Sequence, residues 1–298
     1  MARTARTKMT ITAHTLVKNE ARFVWYAVMS VINYVDKVLL WDTGSTDGTL
    51  EILKEIKKST NKEIDLREVG EVDPIGFTKV RQEMLDSTNT DWFIVVDGDE
   101  IWWEESIQKV KEAINEFDSR KLELSDKGKE IESIVVPTIN LIGDIYHYQE
   151  EAAGQYHLAG KSGHFNLRAV NRSIPGLHSA GPHGKWGWVD GDNRMIQNRS
   201  AQKILFVDAP YLHATFLPRT VSREKDLLVP KRVHKFKYEL GIPFPSDFYY
   251  PEVFFRPRPG IVPFPWIKRS TNYTIRASIE TPFKKLKRRL IKGTKVGY

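Results

Sequence analysis

The side chains best suited to chemistry stand in a run of acids that follows a short apolar stretch. Residues 92–96, with the sequence WFIVV, lead directly into Asp97, Gly98, Asp99 and Glu100. A continuous apolar run of this kind is typical of a strand covered on both faces of a sheet, and open α/β folds bind ligands at the carboxyl ends of such strands. Two carboxylates one residue apart can hold a hard divalent cation, since Mg²⁺ commonly takes one or two carboxylates plus substrate phosphates. The alternative is a solvated acidic turn that caps the next helix.

Composition narrows the classes of protein to which the chain can belong. Its 298 residues are 41% hydrophobic and 28% charged, enough for one sizeable α/β domain with an appendage or for two small domains. It contains no cysteine, so disulfides, thiolate metal sites and cysteine nucleophiles are excluded. The net charge of +7 favours acidic partners such as nucleotides, phosphorylated substrates, nucleic acid or an anionic membrane. With no apolar run near the ~20 residues of a membrane span and no signal-type core, we expect a cytosolic or cytosol-facing protein.

Strands and helices alternate in the first part of the chain. The patterns predict strands at 9–17, 37–42, 63–69 and 92–96, and helices over about 20–34, 50–56, 76–87 and 107–117. This alternation indicates an α/β sheet with right-handed crossovers. The second strand also ends in an acid, Asp42, which precedes a turn rich in glycine and hydroxyls. We therefore expect Asp42 and the 97–99 turn at the same sheet edge, beside a helix N-terminus that suits a ribose or phosphate.

Three motifs resemble those of glycosyltransferase family 2, the GT-A nucleotide-sugar transferases. They are LVKNE at 16–20, LWDTGSTDGT at 40–49 and VVDGDE at 95–100, in the order and spacing of the family. The resemblance covers roughly residues 10–110. It implies a Rossmann-like mixed sheet flanked by helices. The expected domain, 9–221, has a nucleotide-sugar half at 9–117 and an irregular acceptor half at 132–221.

The resemblance also implies a donor site. Asp42 is expected to contact the base or ribose of the nucleotide, and Lys18, Glu20 and Gly44 belong to the same site. Arg81 matches a basic residue that the family often carries close to the donor. For Arg81 the alternative is a solvated helix face or an ion pair with an acid of its own helix.

A metal site is implied in the same way. Asp97 and Asp99 are expected to hold Mn²⁺ or Mg²⁺ on the diphosphate of a nucleotide sugar, with UDP- or GDP-sugars as the expected donors. A late histidine followed by TFLPR resembles a third metal ligand of the family, which makes His213 the candidate. Arg219 can then meet the diphosphate, because a planar guanidinium fits phosphate oxygens. Glu100 is expected to cap or orient the loop, and the alternative for His213 is a satisfied histidine at a strand end.

The acceptor half offers candidates for a general base. The resemblance implies inversion of configuration, which requires one base on the acceptor side. Asp190 and Asp192 are candidates because they lie beside Trp186 and Trp188, whose rings can stack on a sugar. Glu150 and Glu151 are the alternatives. Strands are predicted at 133–139 and 165–172, with a final strand from 206 to His213.

Residues 222–298 form a basic extension rich in proline and aromatic residues. The prolines between 243 and 265 exclude a long helix there, and the interleaved aromatics predict a segment laid across the domain surface. Residues 282–292 predict a short cationic helix with Phe283, Leu286 and Leu290 on one side. Such a helix can rest on anionic lipid, so that peripheral contact with the cytosolic membrane face is one prediction. A solvated basic tail is the alternative.

The resemblance, together with the patterns, implies a metal-dependent, inverting glycosyltransferase. It would move a sugar from a nucleotide-sugar donor to a hydroxyl of a glycan, a lipid-linked sugar or a protein. Nucleotidyl transfer stays open, although the Gly-rich basic first loop of sugar nucleotidyltransferases is absent. A nucleic-acid-binding module also stays open, although basic residues cluster at the chain ends while acids mark the expected ligand edge. The fold cannot choose the sugar, nucleotide or acceptor.

Overall fold

The computed structural model describes residues 8–116, 131–154, 156–158, 160–218 and 237–290. The α-helices in these residues are α1 Val24–Val31, α2 Thr49–Lys58, α3 Pro74–Asp86, α4 Glu104–Glu116 and α5 Thr271–Leu290. The first strands are β1 Ile11–Val17, β2 Lys37–Asp42, β3 Glu63–Glu68, β4 Trp92–Val95, β5 Glu100–Trp102, β6 Ser133–Ile142, β7 Asp144–Tyr148 and β8 Tyr156–Leu158. They are followed by β9 Lys161–Gly163, β10 Phe165–Asn171, β11 His178–Ala180, β12 Gly187–Val189, β13 Ile204–Phe206, β14 Tyr211–His213 and β15 Ile242–Pro243.

The central sheet runs in the order β15-β7-β6-β10-β4-β1-β2-β3. The first part is parallel, since β1 pairs with β2 and β4 and β2 pairs with β3. The second part turns antiparallel at β10, which pairs with β4 on one side and β6 on the other. The predicted mixed α/β sheet with flanking helices is therefore confirmed.

Helices cover both faces of the parallel part. Val38 and Leu40 of β2 pack in the core cluster that contains α1 residues. The alternate residues Leu39 and Trp41 pack in a second cluster with Val80 and Met84 of α3. Successive side chains of a strand point to opposite faces, so β2 is buried from both sides. This double cover fixes the carboxyl ends of β1, β2 and β4 along one edge.

Three element predictions were wrong. The final strand is two strands, β13 and β14, each parallel to β6, and the break contains Pro210, which has no N–H to donate. A short strand, β12, precedes Asp190, although residues 187–189 do not have the sequence pattern of a continuous strand and predict a loop. Helix α5 begins at Thr271 and contains Pro282 in its interior. The helical spacing of apolar residues continues upstream through Ile275 and Ile279. It predicts the longer helix better than Pro282, which is typical of a first helical residue, predicts a start at 282.

The described part of the extension lies against the sheet. β15 adds an antiparallel edge strand to β7, and the aromatic residues around it stack on one another, with Phe244 and Phe248 centroids 3.9 Å apart. Tyr250 and Trp266 meet edge to face at 4.9 Å. Between 237 and 270 the structure has no α-helix, as the prolines predict. No helix within the described residues combines the length and apolar character needed to cross a bilayer.

Candidate active site

The acidic turn after β4 packs tightly on the segment after β1. A Cβ at Gly98 would lie 2.9 Å from both Cγ of Glu20 and Cγ1 of Val17. These distances are well below the 3.5–4.0 Å at which carbon atoms normally touch. Only glycine fits between the two acids without a shift, so the position of the Asp97–Asp99 turn is fixed by the LVKNE segment.

Asp97 points two oxygens toward buried arginines. Its Oδ1 accepts a hydrogen bond from Nη2 of Arg81 at 3.1 Å, and its Oδ2 lies 3.7 Å from Nη2 of Arg168. The side chain itself is 36% exposed, whereas both guanidiniums are buried. The two arginines thus fix Asp97 from the protein interior, while its carboxylate remains partly exposed at the carboxyl edge of the sheet.

Glu100 orients this turn from inside the protein. It is completely buried, forms an ion pair with Arg168 and accepts a hydrogen bond from Tyr211 Oη at 3.0 Å. Its other oxygen accepts from the backbone N–H of Asp97 at 3.3 Å, and its own N–H donates to the Asp97 carbonyl at 3.1 Å. Burial raises the pKa of Glu100 to about 7, against the opposing effect of Arg168. The side chain therefore serves the loop, and its burial keeps it from acting as a metal ligand there.

The two arginines behind the turn differ in how well their polar atoms are satisfied. Burial alone would lower the pKa of Arg168, but Glu100 and Tyr211 raise it above its ordinary value. Burial lowers the pKa of Arg81, and the neighbouring Asp97 carboxylate offsets this lowering only in part. Among the described residues, Nε and Nη1 of Arg81 have no hydrogen-bond partner. Arg81 is thus a buried cation beside the open carboxylate, and the alternative of a solvated helix face was wrong.

Arg168 is a residue that sequence reasoning missed. It lies in β10, whose middle is otherwise apolar, and this single charge among buried positions was the available signal. A buried arginine needs an anionic partner, and nothing local supplies one. The partner is Glu100, 68 residues earlier in the chain.

His213 reaches the turn through strand pairing. β14 runs antiparallel to β5, and His213 lies opposite Glu100 in that pair. Its Nε2 is 3.6 Å from Oδ1 of Asp99, and the next residue, Ala214, donates its N–H to the Asp99 carbonyl at 2.8 Å. The structure therefore brings together Asp99 and a histidine more than one hundred residues away.

Asp42 ends β2 with one oxygen satisfied and one free. Its Oδ1 accepts hydrogen bonds from the backbone N–H groups of Gly44 and Ser45, both at 2.9 Å. Its Oδ2 is buried and has no hydrogen-bond partner in the part of the chain that the structure describes. Gly44 has φ +81°, and a Cβ there would meet the backbone nitrogen of Glu71 at 3.0 Å. The turn after β2 therefore requires glycine at position 44. It also leaves Oδ2 of Asp42 able to accept a further hydrogen bond.

The LVKNE segment is tied to the same turn. Asn19 adopts φ 57°, accepts from the N–H of Thr46 at 2.8 Å and donates its own N–H to Ser45 Oγ at 2.8 Å. Glu20 donates its N–H to Oγ1 of Thr49 at 2.8 Å. Lys18 forms an ion pair with Glu71 at 2.9 Å. A small cavity adjoins this segment and Asp99, and its lining residues are Asn19, Glu20, Arg22, Phe23, Asp99, Ala214, Leu217 and Pro218.

The two candidate bases lie in a separate turn after β12. Asp190 is buried, pairs with Arg199, and accepts hydrogen bonds from the N–H groups of Asp192 and Arg194. The bond from Arg194 is the largest of the effects that lower the pKa of Asp190. Asp192 is exposed. The hydrogen bonds and the ion pair of Asp190 join it to its own turn and to Arg199.

Other acceptor-side expectations fared differently. Trp186 and Trp188 are buried, with ring centroids 5.2 Å apart, so the expectation that they stack on a sugar was wrong. Both belong to the β11–β12 hairpin, and their rings pack in one cluster with apolar residues of β4 and α3. Glu150 pairs with Arg288 at 2.8 Å. Arg219 lies outside the described residues.

The comparisons with known proteins identify the family. The family model described as Glycosyl transferase family 2 matches residues 12–167, just over half of the chain. The chain belongs to this family. By its description this is a family of glycosyltransferases, and the mixed α/β sheet of the chain is the fold expected from that membership. A search of curated proteins found no significant match.

Several solved structures are similar in part. TarS from S. aureus is 12% identical over 76% of this chain and 43% of that chain, with a TM-score of 0.45. The mannosyltransferase PcManGT from Pyrobaculum calidifontis, solved with GDP-Man and Mn²⁺, is 14% identical over 70% and 58%, with a TM-score of 0.42. GalNAc-T7, solved with UDP, GalNAc and Mn²⁺, is 16% identical over 70% and 44%, with a TM-score of 0.46. The chain spans about half the length of these proteins.

The side chains at this edge of the sheet are of types that bind hard divalent cations. Asp97, Asp99 and His213 offer oxygen and imidazole ligands, which suit Mn²⁺ or Mg²⁺ better than soft metals. Within the described ranges, however, no three such side chains are close enough to hold an ion by themselves. A hard cation that keeps substrate phosphates among its ligands needs only one or two carboxylates. The residues fit a metal bound jointly with a diphosphate.

Proposed function

We propose that this glycosyltransferase moves a sugar from a UDP- or GDP-sugar to an acceptor hydroxyl, with Mn²⁺ or Mg²⁺ held by Asp97 and Asp99. The observation that carries the proposal is the meeting of three acids at one edge of the parallel sheet. Asp42 ends β2, and Asp97 and Asp99 follow β4, with β1 between the two strands. Ligands of open α/β sheets bind at this edge.

Asp42 is proposed to hold the nucleotide. Its unpartnered Oδ2 can accept a hydrogen bond from an N–H of the base or from a ribose hydroxyl, and a buried anion gains strongly from such a donor. Gly44 lets the backbone come close to the nucleotide, and Lys18 and Glu20 lie on the adjoining segment. These roles are consistent with the hydrogen bonds that join the two segments.

Asp97, Asp99 and His213 are proposed to form the protein part of the metal site. When bound, the cation neutralises the negative charge that develops on the leaving diphosphate. Arg81 orients Asp97 through its hydrogen bond, and its Nε and Nη1, which have no partner among the described residues, can donate to a phosphate oxygen. Arg219 is proposed to bind the same diphosphate on the basis of its motif.

Inversion of configuration is proposed from family membership, with a base that takes the proton of the acceptor hydroxyl. Asp190 already uses its carboxylate to close its own turn and to pair with Arg199. We therefore propose Asp192, whose carboxylate is exposed, as the candidate base over Asp190. The acceptor is proposed to be a glycan, a lipid-linked sugar or a protein hydroxyl.

Thermal unfolding with a panel of nucleotides tests this proposal. UDP or GDP should raise the Tm of the full chain in the presence of Mn²⁺ and much less in the presence of EDTA, because ligands that bind only the native state stabilise it. The double variant Asp97→Asn with Asp99→Asn should lose the metal-dependent part. A control with Asp65→Asn and Asp86→Asn, two acids away from the edge, should keep it. If no nucleotide gives a metal-dependent shift, or if the double variant retains one, the proposal is wrong.

A further inference from the structure

Helix α5 carries its large apolar side chains on the face that points away from the domain. Its exposed face bears five large apolar residues that are between 55% and 75% exposed: Ile275, Ile279, Phe283, Leu286 and Leu290. At about 100° per residue, they fall within an arc of about 80°. Surface helices normally turn such a stripe toward the core. In α5 the stripe points to solvent.

The opposite face of α5 holds the helix in place through polar contacts. Thr281 Oγ1 accepts from the N–H of Leu240 at 3.0 Å, and Lys284 Nζ donates to the carbonyl of Tyr238 at 2.8 Å. Arg288 pairs with Glu239 through two hydrogen bonds of 2.6 and 2.7 Å. Turning the apolar stripe inward would break these contacts and bury the charges of Lys284 and Arg288. The outward direction of the stripe is therefore built into the way the helix docks.

Basic residues flank the stripe on both sides. Arg276 and Lys287 lie on one side of it, and Lys285 and Arg289 lie on the other, by the same angular count. The one acid of the helix, Glu280, already pairs with Arg276 at 2.6 Å and Lys284 at 2.9 Å. An apolar face with cationic margins is the pattern of a helix that lies in the plane of an anionic membrane surface.

We propose that the exposed face of α5 is a docking surface for an anionic lipid bilayer. The apolar stripe enters the headgroup region while the basic margins contact lipid phosphates, and the polar face keeps the helix joined to the domain. A second copy of this chain fits less well, because two such faces would bring their own basic margins together. The six Lys and Arg residues of α5 make it a helix that lies on the bilayer surface, because a helix with so many charges does not cross the hydrocarbon core.

The docking surface has a defined place on the molecule. Arg288 also pairs with Glu150, which follows β7, at 2.8 Å. α5 is thereby linked to the sheet edge formed by β7 and β15. Binding of α5 to lipid would orient that edge toward the membrane, independently of any transfer reaction.

Vesicle sedimentation of the full chain tests the proposal. Phosphatidylcholine vesicles that contain phosphatidylglycerol should bind the protein, and pure phosphatidylcholine vesicles should bind it far more weakly. Raising the salt concentration should release it. Phe283→Gln with Leu286→Gln should lower the partition coefficient about a hundredfold, since each buried apolar side chain contributes about tenfold or more. Lys285→Gln with Lys287→Gln should lower it about 25-fold, at about fivefold per basic residue.

Matched controls separate lipid binding from general effects. Ile75→Gln replaces an equally exposed isoleucine on α3 and should leave vesicle binding unchanged. Lys57→Gln with Lys58→Gln removes two exposed charges from α2 and should change it by less than twofold. Thermal unfolding should show that the α5 variants remain folded, because the replaced side chains are exposed and glutamine is a good helix former.

Three results would overturn the proposal. One is the absence of binding to anionic vesicles. Another is binding that the α5 variants leave unchanged. The third is self-association in sedimentation velocity that the Phe283→Gln, Leu286→Gln variant abolishes, because it would identify a second copy of the chain as the occupant of this face.

Discussion

Replacing Gly98 by alanine should disturb the acidic turn more than any change at its surface. The new Cβ would meet Glu20 Cγ and Val17 Cγ1 at 2.9 Å. Normal carbon contacts begin near 3.5 Å, so the turn or the LVKNE segment must move by about 0.6 Å or more. Overpacking of this kind costs about 1–3 kcal/mol of unfolding free energy. A displacement approaching 1 Å at catalytic ligands can lower activity about a hundredfold.

The stability effect can be measured by chemical denaturation, and the effect on the site by calorimetric titration of UDP or GDP with Mn²⁺. Gly98→Ala should lower both the unfolding free energy and the affinity for the metal–nucleotide pair. Gly260→Ala is the matched control, because a Cβ there meets nothing within 4 Å and its φ is not in the left-handed region. It should leave binding unchanged, and a flexible glycine replaced without strain stabilises by about 0.4–1 kcal/mol.

A Gly98→Ala protein with wild-type stability and wild-type affinity would refute this reasoning. It would mean that the turn does not pack on the LVKNE segment as described. A loss of stability with unchanged affinity would refute the second half alone. The turn would then be tightly packed without serving as the metal and nucleotide site.

Other residues give sharper single tests. Asp42→Asn keeps an acceptor for the N–H groups of the turn but removes the anionic oxygen. It should weaken nucleotide binding about tenfold in calorimetry, with little change in Tm. Unchanged affinity would contradict the assignment of Asp42 to the nucleotide. Arg168→Met should cost about 3–5 kcal/mol in denaturant unfolding because it leaves the buried Glu100 without its ion-pair partner, and a loss below 1 kcal/mol would contradict that pairing. His14 has a pKa held well below 6.5 by burial. Below about pH 6.5, His14 is therefore protonated in the unfolded chain but stays neutral in the folded chain. The unfolding free energy should then fall by up to about 1.4 kcal/mol for each pH unit below that value. His14→Gln should flatten this dependence in denaturation curves recorded between neutral and acid pH; an unchanged slope would show that other groups cause it.

Much of the donor side was predictable because its signals are local. The run at 92–96 predicts a strand buried on both faces, and the acids that follow must then lie at its carboxyl end. Gly44 and Gly98 stand where a turn or a close approach requires glycine. These constraints operate between neighbours in sequence or on adjacent parallel strands, so the pattern of residue types records them.

The rest depends on contacts between distant segments. The pairing of Arg168 with Glu100 joins distant strands, and no local pattern specifies it. The approach of His213 to Asp99 depends on the antiparallel register of β14 on β5, and only the family resemblance pointed to it. Trp186 and Trp188 looked available for a sugar because their segment lacks apolar periodicity. They are buried because the hairpin to which they belong packs against β4 and α3. The outward stripe of α5 was visible in the sequence only in its C-terminal half, because Pro282 suggested a helix start.

The central claim is that Asp97 and Asp99 hold a metal that the sugar transfer requires. The most direct measurement is the release of UDP from a UDP-sugar, or of GDP from a GDP-sugar, by the full chain in Mn²⁺ and in EDTA. We expect release to require the metal and to fall at least about a hundredfold in Asp99→Asn, because the stabilisation of the leaving group is lost, while Asp65→Asn remains active. Release that proceeds equally in EDTA, or that survives in Asp99→Asn, would contradict it.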